Sequence, residues 1–272
     1  MRGVFARLVG KPRDLRDPKI FHHVSLVAFF AWVGLGSDGL SSSAYGPEEA
    51  FRHLGEHRYL AAFLAVAMAA TVIIISATYS RIIEHFPAGG GGYVVASKLL
   101  GERVGVISGA ALLVDYVLTI TISVASGANA IFALLPASWA GARVATEVAV
   151  IALLILINLR GVRESVVVLT PIFLVFLVTH VVLIGGTLIP HLGDAGAIVG
   201  EVRGGLSRDL DVLGTGAVLL IFLRAYSLGG SAYTGIEAVS NGLQILREPR
   251  VKTGRRTMTY ICLLYTSPSP RD

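Results

Sequence analysis

From residue 23 onward the chain alternates long apolar runs with short basic or glycine-rich stretches. A helix rises about 1.5 Å per residue, so about 20 apolar residues cross a bilayer core of ~30 Å. Six runs have this character, at residues 23–50, 59–83, 104–135, 144–159, 165–189 and 213–245, and a seventh opens near Thr257. The fourth is short for a span, while the third and sixth are long enough to tilt. The pattern predicts an all-α polytopic membrane protein.

Composition narrows this reading. Charged residues make up 15% of the chain against 54% hydrophobic, whereas soluble domains carry about 25% charged residues. Soluble globular and disordered classes are therefore excluded. A net charge of +5 could suggest a nucleic-acid partner. The basic residues lie between apolar runs and form no single patch, so the lipid bilayer is the expected partner and nucleic acid is not. Residues 1–22 form a basic leader without the apolar core of a signal peptide. With the N-terminus inside, sixteen Lys and Arg fall in inside segments and five in outside ones. This asymmetry predicts a multi-pass protein of the cell membrane with a cytoplasmic N-terminus. Tyr59 and Trp139 fall at predicted outer interfaces, where aromatic anchors belong.

Two runs are broken. GLGSDGLSSSAYGPEEA (34–50) and YSLGGSAYTGIEAVSNG (226–242) interrupt spans one and six with glycine, serine and, in the first, Pro47. Glycine costs about 1 kcal/mol and proline about 3 kcal/mol in a helix interior. Backbone groups freed there must be buried in protein or line a wet cavity. Paired breaks in two halves mark a transporter's binding site. SAYGPEEA (43–50) matches SAYTGIEA (231–238) at five of eight positions. If the two open successive repeats, five spans per repeat force inverted topology. Kinks at small-residue packing contacts are the simpler alternative.

Three carboxylates fall at membrane depth: Asp38 in span one, Asp115 in span three and Glu237 in span six. Charge in lipid is costly, so they are expected to point inward. Asp115, Thr119 and Ser123 share one helical face, with Tyr116 beside it. Thr234 lies three residues before Glu237, and Tyr45 follows Asp38 by seven. Carboxylate, hydroxyl and carbonyl oxygens form a hard ligand set, suited to alkali cations and protons. Potassium held by Asp38 and Asp115 is the expected metal. Desolvation and like charge penalise three ionised carboxylates around one cavity. Glu237, just past the second break, is the expected proton carrier. The structural alternatives are that Asp115 pairs with Arg224 or caps a helix, and that Thr119 or Ser123 bonds a carbonyl one turn back. His180 reads as an ordinary bundle residue.

FPAGGGGYVVASKLLGERVG (86–105) lacks the Lys-Ser or Lys-Thr of a phosphate loop, and no strand precedes it. It reads as a flexible joint leading to an interfacial helix. No nucleophile elbow appears, so the protein is read as no enzyme, and no cofactor is implied. The sole cysteine, Cys262, opens CLLYTSPSPRD (262–272). That peptide is the translation of a transposon adapter used in sequencing libraries. Residues 262–272 are read as foreign to the gene, which is expected to continue beyond Ile261.

Taken in order, SDGLSSSAYG, FPAGGGGYVVASKLLGE, GAALLVDYVLT, INLRGVRES and SAYTGIEAVSN resemble the amino acid–polyamine–organocation superfamily. Within it they are similar to the KimA-type potassium transporters related to the KUP family. The resemblance implies a LeuT-type fold of inverted five-helix repeats, a homodimer when full length, and potassium uptake coupled to protons. By motif position it implies ion-site roles for Asp38, Tyr45, Asp115, Tyr116, Thr119, Ser123, Thr234 and Glu237. The first repeat would span 23–189, an extracellular loop 190–212, and the start of the second repeat 213–261. Amino-acid permeases bind a substrate carboxylate at the first break, where Asp38 would repel one. A small cation is thus the expected substrate, with an amino-acid or polyamine permease and a non-transporting membrane sensor as alternatives.

Overall fold

The computed structural model describes residues 25–160 and 162–265, without the side chains of Asp38, Ser41, Ser42, Ala44, Tyr45, Arg160, Glu164, Ser231, Ala232 and Tyr265. The leader at 1–22 and residues 266–272 of the tail lie outside the described residues. The helices are α1 (Ala28–Leu35), α2 (Ser37–Arg52), α3 (Ala61–His85), α4 (Gly91–Leu100), α5 (Glu102–Phe132) and α6 (Arg143–Arg160). They continue as α7 (Val162–Leu188), α8 (Ala195–Leu213), α9 (Thr215–Leu228), α10 (Ala238–Asn241) and α11 (Arg250–Tyr265). Short 3₁₀ turns flank several of them, at Arg58–Leu60, Gly229–Tyr233 and Leu243–Ile245 among others. Sheet-like pairing among the described residues is confined to a parallel bridge between Leu26 and Leu246.

Spans two to five form as unbroken helices, and span five does so through Pro171 and the pair Gly185–Gly186. Among the described residues four helices are long and apolar enough to cross a membrane, and α8 with α9, bent by 120°, would make a fifth. The protein is an all-α, multi-pass membrane protein. Leu113, Val117, Leu153, Val175 and Val181 point outward from α5, α6 and α7, giving the lipid-facing surface such a protein needs. Thr121, Thr179 and Thr187 return their hydroxyls to carbonyls one turn earlier, which keeps those groups satisfied in hydrocarbon.

The two broken spans differ. The first is interrupted only at Gly36, whose N–H still donates to Trp32 O at 2.8 Å. The expected unwound stretch around Asp38 is instead helix α2, running through Pro47. Ser37 Oγ donates to Gly34 O at 3.2 Å and Ser43 Oγ to Leu40 O at 2.9 Å. Both hydroxyls serve carbonyls within four residues of the kink at Gly36. The sixth span breaks widely: α9 tightens into the turn Gly229–Tyr233, then unwinds through Gly235 at φ +89° before the one-turn α10. The similar octapeptides at 43–50 and 231–238 therefore take different conformations. Pro47 lies in the interior of α2, where it supplies no N–H to the helix. Gly235 takes a left-handed φ that most side chains avoid.

The bundle has two ends. At the near end, Leu26 N–H donates to Ile245 O at 2.9 Å and Arg247 N–H to Leu26 O at 2.8 Å. This clasp joins the start of span one to the end of span six. Arg255 pairs with Glu84 at 2.7 Å, tying α11 to α3. A core of Leu26, Val33, Ile83, Phe173, Ile236, Leu243, Met258 and Ile261 fills this end and the middle. There Trp32 meets Phe173 edge-on at 4.9 Å. A side chain on Gly34 would stand 2.5 Å from Val166, so the glycine permits close approach of α1 and α7.

At the far end a second core gathers Ala50, Leu54, Tyr59, Leu60, Leu64, Val218 and Ala225, with Val202 and Leu206 of α8 packed on it. Residues 190–212, expected as a loop, contain most of helix α8. Val202, Leu206 and Leu210 recur every fourth residue on it. Tyr59 is not a lipid-facing anchor. It is 8% exposed and lies beneath Gly205, whereas Trp139 is exposed as expected.

Candidate functional site

The wide break in span six places the polar groups. Gly235 turns the chain so that its own N–H donates to Glu237 Oε2 at 3.1 Å. Glu237 is the N-cap residue of α10, and its carbonyl accepts from Asn241 N–H at 3.0 Å. The carboxylate thus belongs to the turn itself, with one oxygen on the backbone. It also lies within electrostatic range of the Tyr79 phenol on α3.

Span three comes to this turn through Tyr116. Asn241 Nδ2 donates to Tyr116 Oη at 2.8 Å, linking α10 to α5. Asp115 is half-buried and Thr119 is buried on α5, with Ser123 half-buried one turn on. Among the described residues no ion pair engages Asp115, and Arg224 is exposed. The expected alternative of an Asp115–Arg224 pair is therefore not formed. Nor does Thr119 bond a carbonyl one turn back among the described residues, although its neighbour Thr121 does. Thr234 is half-buried within the break. The side chains of Asp38 and Tyr45 lie outside the described residues, and α2 carries their backbone. His180 is buried and stacks on Phe176 at 4.7 Å. No cluster of three or more His, Cys, Asp or Glu suited to a metal ion occurs among the described residues.

Several residues near the break escaped sequence reasoning. Asn241 and Tyr79 are two. Tyr226 is a third: its hydroxyl shares a 2.6 Å hydrogen bond with Thr71 on α3, and its ring lies 6.1 Å from that of Tyr233 at the end of the 3₁₀ turn. Asn241 and Tyr226 fall within the interrupted segment 226–242, which was the available signal. Tyr79 and Thr71 sit in an unbroken apolar helix that gives none.

The far end holds a separate polar cluster. His57 Nδ1 and Tyr59 Oη both bond Asp209 Oδ2 on α8, the latter at 2.9 Å. The His57 contact chiefly holds Asp209 below the ordinary carboxylate range. It fastens α8 over the start of α3.

The family model for amino acid permeases matches residues 26–267. The potassium transporter KimA of Bacillus subtilis strain 168 is 34% identical over 263 residues, which is 94% of this chain and 42% of that protein. The chain spans less than half the length of that relative.

Proposed function

The chain belongs to the amino acid permease family, and on that premise we propose that it forms much of the cation pathway of a proton-driven potassium transporter. It is a membrane transporter by family; potassium, protons and the coupling between them are our reading. The observation that carries it is the meeting of α5 and the span-six break. Asp115 stands on α5 without an ion-pair partner among the described residues, beside Tyr116, which reaches α10 through Asn241. The likeness to a potassium transporter supports the choice of ion.

In this reading Asp38 and Asp115 stay ionised and offer oxygens to a dehydrated potassium ion. Tyr45, Tyr116, Thr119, Ser123 and Thr234 add neutral oxygens, which a large alkali cation accepts. Glu237 takes the coupled proton. Its carboxylate rides on a turn built from Gly235, so a movement of α10 re-aims it without disturbing α9. One potassium ion cannot balance three carboxylates, and protonating Glu237 halves the remaining excess of negative charge. The protein lies in the cell membrane with its N-terminus inside, which puts the near end on the cytoplasmic side. Like the fold's inverted repeats, homodimer formation is part of this proposal.

The test is uptake by the protein expressed from its whole reading frame and reconstituted in liposomes. Rubidium accumulation driven by an inward proton gradient supports the reading. Accumulation of a labelled amino acid without rubidium flux overturns it in favour of an amino-acid permease. In Glu237→Gln, proton-driven accumulation is expected to disappear while rubidium exchange persists; intact coupling would reject Glu237 as the carrier.

A further inference from the structure

We propose that Asn241 is a positioning residue that holds the near end of the bundle closed against the site, by joining the glycine-rich segment 88–91 to Tyr116. The role in transport rests on the function proposed above; the closure rests on contacts alone.

Asn241 has three attachments. Its side-chain amide donates to Tyr116 on α5 at 2.8 Å. Its backbone carbonyl accepts from Gly90 N–H at 3.4 Å. Its amide oxygen, buried and without a hydrogen-bond donor among the described residues, lies over Gly91. A Cβ on Gly91 would stand 1.7 Å from that oxygen, so only glycine allows the approach. Gly89, Gly90 and Gly91 all have positive φ, at +80°, +87° and +45°. They bend the chain back from α3 so that it meets α10 from below. The contact extends one turn further, because Gln244 Nε2 donates to Ala88 O at 2.9 Å.

The same four-residue helix is preceded by its N-cap Glu237, whose carbonyl accepts from Asn241 N–H. Asn241 and Glu237 thus stand at opposite ends of one rigid turn. If the glycine segment moves away, α10 loses its seat, and with it Tyr116 and Glu237 lose their relative placement. If α10 swings outward, the bonds to Tyr116 and Gly90 break together. The contact is therefore a two-position element: made, it covers the site; broken, it opens it at the near end.

Ser240, beside Asn241, is 2% exposed and reports the opening. Full-length protein with every cysteine replaced by serine, and then Ser240→Cys introduced, is purified in detergent and its rate of maleimide labelling measured. The closed arrangement predicts slow labelling. Asn241→Ala should raise the rate about fivefold, the factor that one neutral hydrogen bond is worth. Asn241→Asp keeps the size and accepts a bond from the Tyr116 hydroxyl, so it should label close to the parent. Gly91→Ala should label fast, because its methyl group meets Asn241. Adding Asn241→Ala to it should raise labelling no further. If Asn241→Ala does not fold, Tyr116→Phe, which removes only the hydroxyl, replaces it with the same expected rise.

Labelling of Asn241→Ala at the parent rate, or of Asn241→Asp as fast as Asn241→Ala, overturns the proposal. The rubidium assay runs alongside: Asn241→Ala should alter the KM for rubidium, and Asn241→Asp should restore it. Parent protein that labels as expected but carries no rubidium refutes the transport reading and leaves the closure standing.

Discussion

Two adjacent glycines on α8 should respond in opposite directions to the same substitution. Gly205 packs on Tyr59: a Cβ there would lie 2.6 Å from Cδ1 and 2.7 Å from Cγ of the ring. Ordinary contact begins at 3.4 Å, so α8 or the ring must retreat by most of an ångström. The ring has little room, being 8% exposed and held between His57 and Asp209. Overpacking of this kind costs about 1–3 kcal/mol. Alanine gains about 1 kcal/mol over glycine in a helix interior. Gly205→Ala is therefore expected to destabilise the protein by up to ~2 kcal/mol. At Gly204 nothing lies within 4 Å of the same position. Gly204→Ala collects the propensity gain alone and should stabilise by up to ~1 kcal/mol. Melting followed by size-exclusion chromatography in detergent gives the sign of each change. Proteolysis between residues 189 and 215 should quicken in Gly205→Ala only. Equal shifts for the two variants would refute the packing of α8 on Tyr59.

Asp115→Asn should abolish rubidium uptake while leaving membrane insertion and the elution profile unchanged; uptake at the parent rate would make Asp115 structural. The far-end cluster predicts a pH dependence. Asp209 is held below its ordinary value by His57 and Tyr59, with Arg208 adding to the shift. Its contribution is therefore complete above the ordinary carboxylate pKa of about 3.9 and is lost as pH falls through the lower folded-state value. Below the ordinary carboxylate pKa the stability difference between parent and Asp209→Asn should shrink as pH falls, and a difference that grows there would contradict the sign.

The membrane-spanning helices were readable because each needs only a long apolar run. The boundaries of α3, α5, α6 and α7 fall within a few residues of those runs. Other features depend on partners distant in sequence. The kink in span one is confined to Gly36, beside which the Ser37 hydroxyl serves the Gly34 carbonyl, a local bond that glycine and proline counts ignore. Helix α8 is held by Tyr59, some 150 positions earlier, and its weakly apolar sequence suggests a loop. Of the candidate site, Asp115, Tyr116 and Glu237 stood out in the sequence, since charge and hydroxyl at membrane depth are conspicuous; their roles belong to the proposal. Asn241 did not, because an asparagine before a glycine reads as a turn. Its importance comes from Gly91, whose missing side chain leaves the space it uses.

The backbone clasp between Leu26 and Leu246 limits how the two interrupted spans can move. Each has a half on the near-end side of its break: α1 for the first, α10 with the turn Leu243–Ile245 for the sixth. Two backbone hydrogen bonds yoke these halves, and a side-chain bond from Thr257 on α11 to Ala28 O lies alongside. Bodies joined in this way share one degree of freedom. A tilt of α1 that left residues 243–246 behind would have to break both bonds, at about 1 kcal/mol each. Independent opening of either half would first have to cut the yoke, so the low-energy motion is a single stroke in which both halves travel together.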